Sequence, residues 1–213
     1  LFRSAIKANP KYPGAYTSRG RVFQDKNDHA RAIADFTQAL SVDPNNAEAL
    51  NLRGQSHAKL AEFDKAFTDF DRALKLSPNY ADAFLNRGMA AAERHNFDQA
   101  TSDLSQAIRL DPRNPAATQA RGNVYRSRGD YARAIADFDQ TIRLSPKSIP
   151  AYIDRGNAFQ QSGKYAQAIR DYDQAIKLDP KYAAAFTERA NTYALSGKID
   201  RALQDYEQAI RCN

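Results

Sequence analysis

"RGNAFQQSGKYAQAIRDYDQAIKLDP" (Arg155–Pro180) stands 34 residues after a near copy of itself, "RGNVYRSRGDYARAIADFDQTIRLSP" (Arg121–Pro146). Fourteen of the 26 positions are identical, so the period has to be fixed before any motif is sought. Proline is the easiest ruler. Pro10, Pro44, Pro78, Pro112, Pro146 and Pro180 fall 34 apart without insertion or deletion. Ala32, Ala66, Ala100, Ala134, Ala168 and Ala202 keep the same step, as do the large apolar Phe36, Phe70, Leu104, Phe138, Tyr172 and Tyr206. Gly20, Gly54, Gly88, Gly122 and Gly156 form a further column, with Ala190 its one departure.

The chain therefore reads as six units, at 13–46, 47–80, 81–114, 115–148, 149–182 and 183–213, and residues 1–12 as the second helix of a partial unit, with Phe2, Ala5 and Pro10 in phase. In the unit 149–182, Tyr152, Arg155, Gly156 and Phe159 are spaced as one stripe of an α-helix. Pro150 sits near its start, where a missing N–H costs nothing. "QSGK" interrupts the stripe, and Gly163 can take the left-handed conformation that closes a helix. A second stripe, Tyr165, Ala168, Ile169, Tyr172, Ala175 and Ile176, stops at Asp179-Pro180 because proline disfavours helix in the residue before it. Each unit is thus two helices and a tight turn, with large side chains on one helix meeting small ones on the other.

A lone hairpin of 34 residues buries too little apolar surface to offset chain entropy, whereas stacked hairpins share a continuous core. Hydrophobic content is an ordinary 42%, and no stretch approaches the ~18 apolar residues of a membrane helix. The unbroken period leaves no room for a second domain. One elongated all-α solenoid is expected.

The 34-residue period, the large and small columns and the closing Asp-Pro or Ser-Pro resemble the tetratricopeptide repeat (TPR) over essentially the whole chain. The resemblance implies a right-handed superhelix. First helices line a concave groove, second helices lie on the convex side, and the usual role is gripping a peptide or a folded partner.

Many members carry leucine just before the glycine column, but here arginine stands there in all six units: Arg19, Arg53, Arg87, Arg121, Arg155 and Arg189. Sixteen residues after each comes an aspartate: Asp35, Asp69, Asp103, Asp137, Asp171 and Asp205. Arg155 lies eight residues before Gly163 and Asp171 eight after it, so antiparallel helices bring them to the same height. Co-occurrence in every unit predicts structural ion pairs, partly buried, within a unit or across to its neighbour. Leu1, in the aspartate column of the partial unit, breaks the rule.

No catalytic constellation is present. His29, His57 and His95 occupy different columns without a partner at metal-ligand spacing. Cys212 is the only cysteine, so an internal disulfide is excluded. Gly156–Lys164 fails the phosphate-loop pattern, with tyrosine in place of the required hydroxyl residue. Neither metal nor cofactor is expected, and the chain reads as non-enzymatic. The net charge of +6 and pI near 9.4 suggest nucleic acid, but the distribution argues otherwise. Lys7, Lys75, Arg109, Arg143, Lys177 and Arg211 recur where second helices end, which is where cations complement the helix dipole. Six more arginines belong to the aspartate pairs.

Opposite the core stripe, the first helices carry a polar face on which a protein or peptide ligand would sit. Its candidate residues are Arg21, Asn51, Gln55, Asn86, Gln119, Asn123, Arg126, Asn157, Gln160 and Asn191. Asn123, Asn157 and Asn191 form a ladder at the repeat step, and an amide both donates and accepts, which suits the backbone of an extended peptide. The lysine clamp of chaperone-binding members is missing, because the matching places hold Thr17, Asn51, Leu85, Gly14, Glu48 and Asp82. In the third unit Ala91 and Leu104 replace larger residues, leaving either a pocket or compensating packing. The chain starts inside a second helix without an initiator methionine, so a fragment of a longer protein is expected, with exposed ends that stack between molecules. The leading reading is an interaction scaffold; the alternatives are the partner-recruiting arm of a larger enzyme or assembly factor and, less favoured, polyanion binding. Cytoplasm and periplasm fit equally.

Overall fold

Each hairpin is set by where the chain caps a helix and where it can turn left-handed. In the computed structural model, which describes residue 9 and residues 11–212, helices alternate with short turns and the described residues contain no strand. The helices pair into two compact units. The N-terminal unit, Leu1–Pro112, holds α1 (Pro13–Asp25) with α2 (His29–Val42), α3 (Ala47–Lys59) with α4 (Phe63–Leu76), and α5 (Ala81–Glu93) with α6 (Phe97–Leu110). The C-terminal unit, Arg113–Asn213, holds α7 (Pro115–Ser127) with α8 (Tyr131–Leu144), α9 (Ile149–Gln161) with α10 (Tyr165–Leu178), and α11 (Ala183–Leu195) with α12 (Ile199–Cys212). The partial unit expected over residues 1–12 falls almost wholly outside the described residues.

Pro13, Pro115 and Pro150 lie in the first turns of α1, α7 and α9. The side chains of Asn46 and Asn114 accept from the amides of Ala49 (2.9 Å) and Ala116 (3.0 Å), satisfying donors that a helix start leaves free. At the turns, Gly129, Gly163 and Gly197 have φ of +77°, +76° and +76°. The amide of Lys164 then reaches back to the carbonyl of Phe159 at 2.8 Å and seals the helix end. In the N-terminal unit the same column holds Asn27, Ala61 and His95, with φ of 56°, 58° and 59°. A side chain there costs about 1–2 kcal/mol, part of which glycine returns through its freer unfolded chain. Ala61→Gly should therefore raise stability by up to about 1 kcal/mol in urea unfolding. A loss would mean that the left-handed turn is not what limits this hairpin.

The core is large-into-small. Phe36, Phe70, Leu104, Phe138 and Tyr172 are fully buried, each against the glycine sixteen residues earlier. A Cβ on Gly122 would lie 2.7 Å from the ring of Phe138, and one on Gly156 would lie 2.6 Å from that of Tyr172. Ala190 is fully buried, and Tyr206, sixteen residues on, is half-buried. Ile199, Leu203 and Ile210 on α12 are exposed, whereas Tyr165, Ile169 and Ile176, their counterparts on α10, are half-buried beside α11. In the third unit Ala91 and Leu104 are both fully buried.

Candidate functional site

Within each unit a first helix touches the next first helix, α1 to α3 to α5 and α7 to α9 to α11. Among the described residues, second helices meet only first helices. The first helices consequently form the inner wall of each unit.

The arginine column is consumed beneath that wall. In all six hairpins the arginine donates through Nε and Nη2 to both oxygens of the aspartate sixteen residues on, at 2.6–2.8 Å. The third nitrogen ties in the preceding hairpin: Arg87 reaches Asp71 and Arg155 reaches Asp139, both at 2.6 Å. Arg189 does the same with Asp173, and Arg53 reaches the hydroxyl of Thr37 at 3.2 Å. The sequence left pairing within a unit or across to a neighbour open. These arginines do both, and the guanidinium is the only common side chain with enough donors in one plane to do so. Burial pushes the Asp171 carboxyl up from its ordinary range, against the pull of Arg155.

In the N-terminal unit the wall is bonded to itself. Arg21 and Glu48, both exposed, form an ion pair. Asn51 is buried, donating to the hydroxyl of Tyr80 at 3.4 Å and accepting from the amide of Asn86 at 3.0 Å; it braces the wall from beneath rather than facing the groove. Gln55 accepts from Gln24 at 3.2 Å, and Gln24 also reaches Ser56 at 2.9 Å. Gln55, Asn86 and Met89 border a cleft of about 30 Å³ over Phe70 and Ala90, room for about one water.

The wall of the C-terminal unit is bridged as well. Gln119 donates to Asp154 at 2.7 Å, and Asn123 leans on the same carboxylate oxygen at 3.5 Å. The carbonyl oxygen of Asn123 accepts from Arg126 at 3.2 Å. Nε of Arg126 is buried without a hydrogen-bond partner. Asn157 and Asn191 are half-buried, their carbonyl oxygens accepting from the hydroxyls of Tyr172 (2.8 Å) and Tyr206 (2.7 Å). Gln160 clips α9 to α11 through Thr192 at 2.8 Å. The tyrosines and the glutamine–hydroxyl clips were not singled out from sequence. Their signals were Tyr for Phe in the last two units, and Ser56 and Thr192 in a column otherwise Val or Ala.

Charge is divided unequally. The N-terminal unit carries 15 Lys/Arg against 14 Asp/Glu, and the C-terminal unit 16 against 11, so five of the six net charges lie in the latter. Arg143, Lys177 and Arg211 are exposed at the ends of second helices, away from a wall that carries Asp154 and Glu188. Buried His57 bonds Glu62 at 2.6 Å, and His95 is the left-handed turn residue. Among the described residues no three His, Cys, Asp or Glu side chains are grouped to hold a metal, and no helix is long and apolar enough to cross a membrane.

Models of the family described as "Tetratricopeptide repeat" match residues 17–81, 85–149 and 183–213, and one described as "TPR repeat" matches 156–197. The chain belongs to the tetratricopeptide repeat family. No curated protein matches this TPR chain in sequence. Among solved structures, a chain of the APC/C hetero-tetramer Cut9-Hcn1 shares 20% identity with a TM-score of 0.84 over all of the TPR chain, which spans 42% of that longer chain. MamA shares 27% identity over 81% of the TPR chain and 94% of its own, with a TM-score of 0.67. YrrB, described as a TPR protein with an unusual peptide-binding site, shares 22% identity over 87% and 95%, with a TM-score of 0.65.

Proposed function

We propose that the chain is a non-enzymatic protein-interaction module that holds an extended peptide or partner helix along the inner wall of its C-terminal unit. The observation that carries this reading is the asparagine ladder: Asn123, Asn157 and Asn191 recur at the repeat step on α7, α9 and α11, half-buried on the face that packing leaves open. Amides at one repeat spacing suit a regular backbone whatever its side chains. The N-terminal unit holds Arg21, Gln55 and Met89 in that column and so has no such ladder. The peptide-binding site described for YrrB agrees in kind, through a shared fold.

The test is a displayed library of random dodecapeptides selected on the immobilised chain. Wild type should enrich peptides, and Asn123→Ala/Asn157→Ala/Asn191→Ala should lose at least about tenfold in affinity, about 1.4 kcal/mol over three rungs, with unchanged circular dichroism. Equal binding by both proteins would move the ligand off the ladder. No enrichment on wild type would remove the reading altogether.

A further inference from the structure

Tyrosine enters the column of large side chains only in the last two units, and in both the residue fifteen before it is asparagine. The pairs run Arg21 with Phe36, Gln55 with Phe70, Met89 with Leu104, Asn123 with Phe138, Asn157 with Tyr172 and Asn191 with Tyr206. Phe36, Phe70 and Phe138 are fully buried and show that packing asks only for a ring. In the same slot Tyr172 is also fully buried, and its hydroxyl has to find a partner or cost stability. It finds the carbonyl oxygen of Asn157 at 2.8 Å, and Tyr206 finds that of Asn191 at 2.7 Å. Burial, aided by the charge of Glu188, holds the Tyr172 phenol protonated well above its ordinary range, so it stays a donor.

A carboxamide has one oxygen and one NH2 on opposite sides. With the oxygens engaged by the tyrosines, the amide nitrogens of Asn157 and Asn191 have no partner among the described residues. Where Phe138 offers no hydroxyl, Arg126 engages the oxygen of Asn123 instead, at 3.2 Å. All three ladder oxygens are taken by the protein itself.

Building on the peptide-binding reading, we propose that Tyr172 and Tyr206 are specificity-determining positioning residues. They lock Asn157 and Asn191 as hydrogen-bond donors one repeat apart, so that the wall selects an extended peptide by its backbone carbonyl oxygens. A freely rotating ladder would pair with carbonyls and N–H groups alike. The locked one reads acceptors only.

The test uses the full chain and peptides selected from the dodecapeptide library. Tyr172→Phe/Tyr206→Phe keeps the rings that Phe36, Phe70 and Phe138 show to fit, so thermal melting should match wild type while peptide affinity falls about tenfold, one modest hydrogen bond at each of two rungs. In NMR spectra without ligand, the side-chain NH2 signals of Asn157 and Asn191 should move toward those of a freely rotating amide in the double variant. Affinity equal to wild type, or amide signals that ignore the tyrosine change, would overturn the lock while leaving peptide binding intact. Lost binding in the triple asparagine variant together with full binding in the tyrosine variant would overturn it in the same way. A wild-type chain that selects no peptide overturns both proposals.

Discussion

Arg155→Leu is expected to destabilise the chain by about 3–5 kcal/mol, and Arg155→Leu/Asp171→Leu by much less. Asp171 is 5% exposed and receives two hydrogen bonds from the guanidinium, at 2.8 and 2.6 Å. Burial already pushes its carboxyl up. Without Arg155, a carboxylate is left with neither water nor a cation, whereas two leucines leave no unpaired charge. Asp139, the third partner, is 40% exposed and returns to water at little cost. The sign with pH follows. A carboxyl raised further in the folded variant destabilises it most above its folded pKa, and the destabilisation fades as the pH falls toward the ordinary carboxylate range. The deficit of the single variant should therefore shrink on mild acidification. Urea titrations of the two variants at neutral and mildly acidic pH decide it; equal losses in single and double would mean that the pair does not act as a unit.

Phe138→Ala should cost about 3–5 kcal/mol, as removal of a fully enclosed ring does. The ring is 0% exposed and packs with Ala134 and Ala158, with Tyr125 and Ile135 beside them. Gly122 opposite has no side chain to close the gap. Small neighbours cannot collapse into the cavity, so the loss should sit near the top of the range. Phe138→Leu should be milder, since Leu104 fills the equivalent slot completely buried. Hydrogen exchange should place the loosening in α7–α9 first, because each hairpin is held mainly by its neighbours. A Phe138→Ala chain within about 1 kcal/mol of wild type would show that these slots collapse freely.

The repeat, the helix pairs, their turns and the large-into-small columns were legible in the sequence because period and packing are one constraint written six times. Arginine and aspartate could be paired across a turn for the same reason: the hairpin fixes which residues stand at equal height. What a repeat step cannot express is the direction in which a side chain turns once several neighbours compete for it. Asn123 and Asn157 share one column, yet the oxygen of the first is held by Arg126 and that of the second by Tyr172. The third nitrogen of Arg155 had two hairpins within reach, and only their stacking gave it Asp139. The sequence alone therefore determined the architecture, which rests on regular spacing. The tertiary structure decided which polar groups on the wall bond to one another and which are left without a protein partner, because hydrogen bonds are directional and settle only when every neighbour is in place.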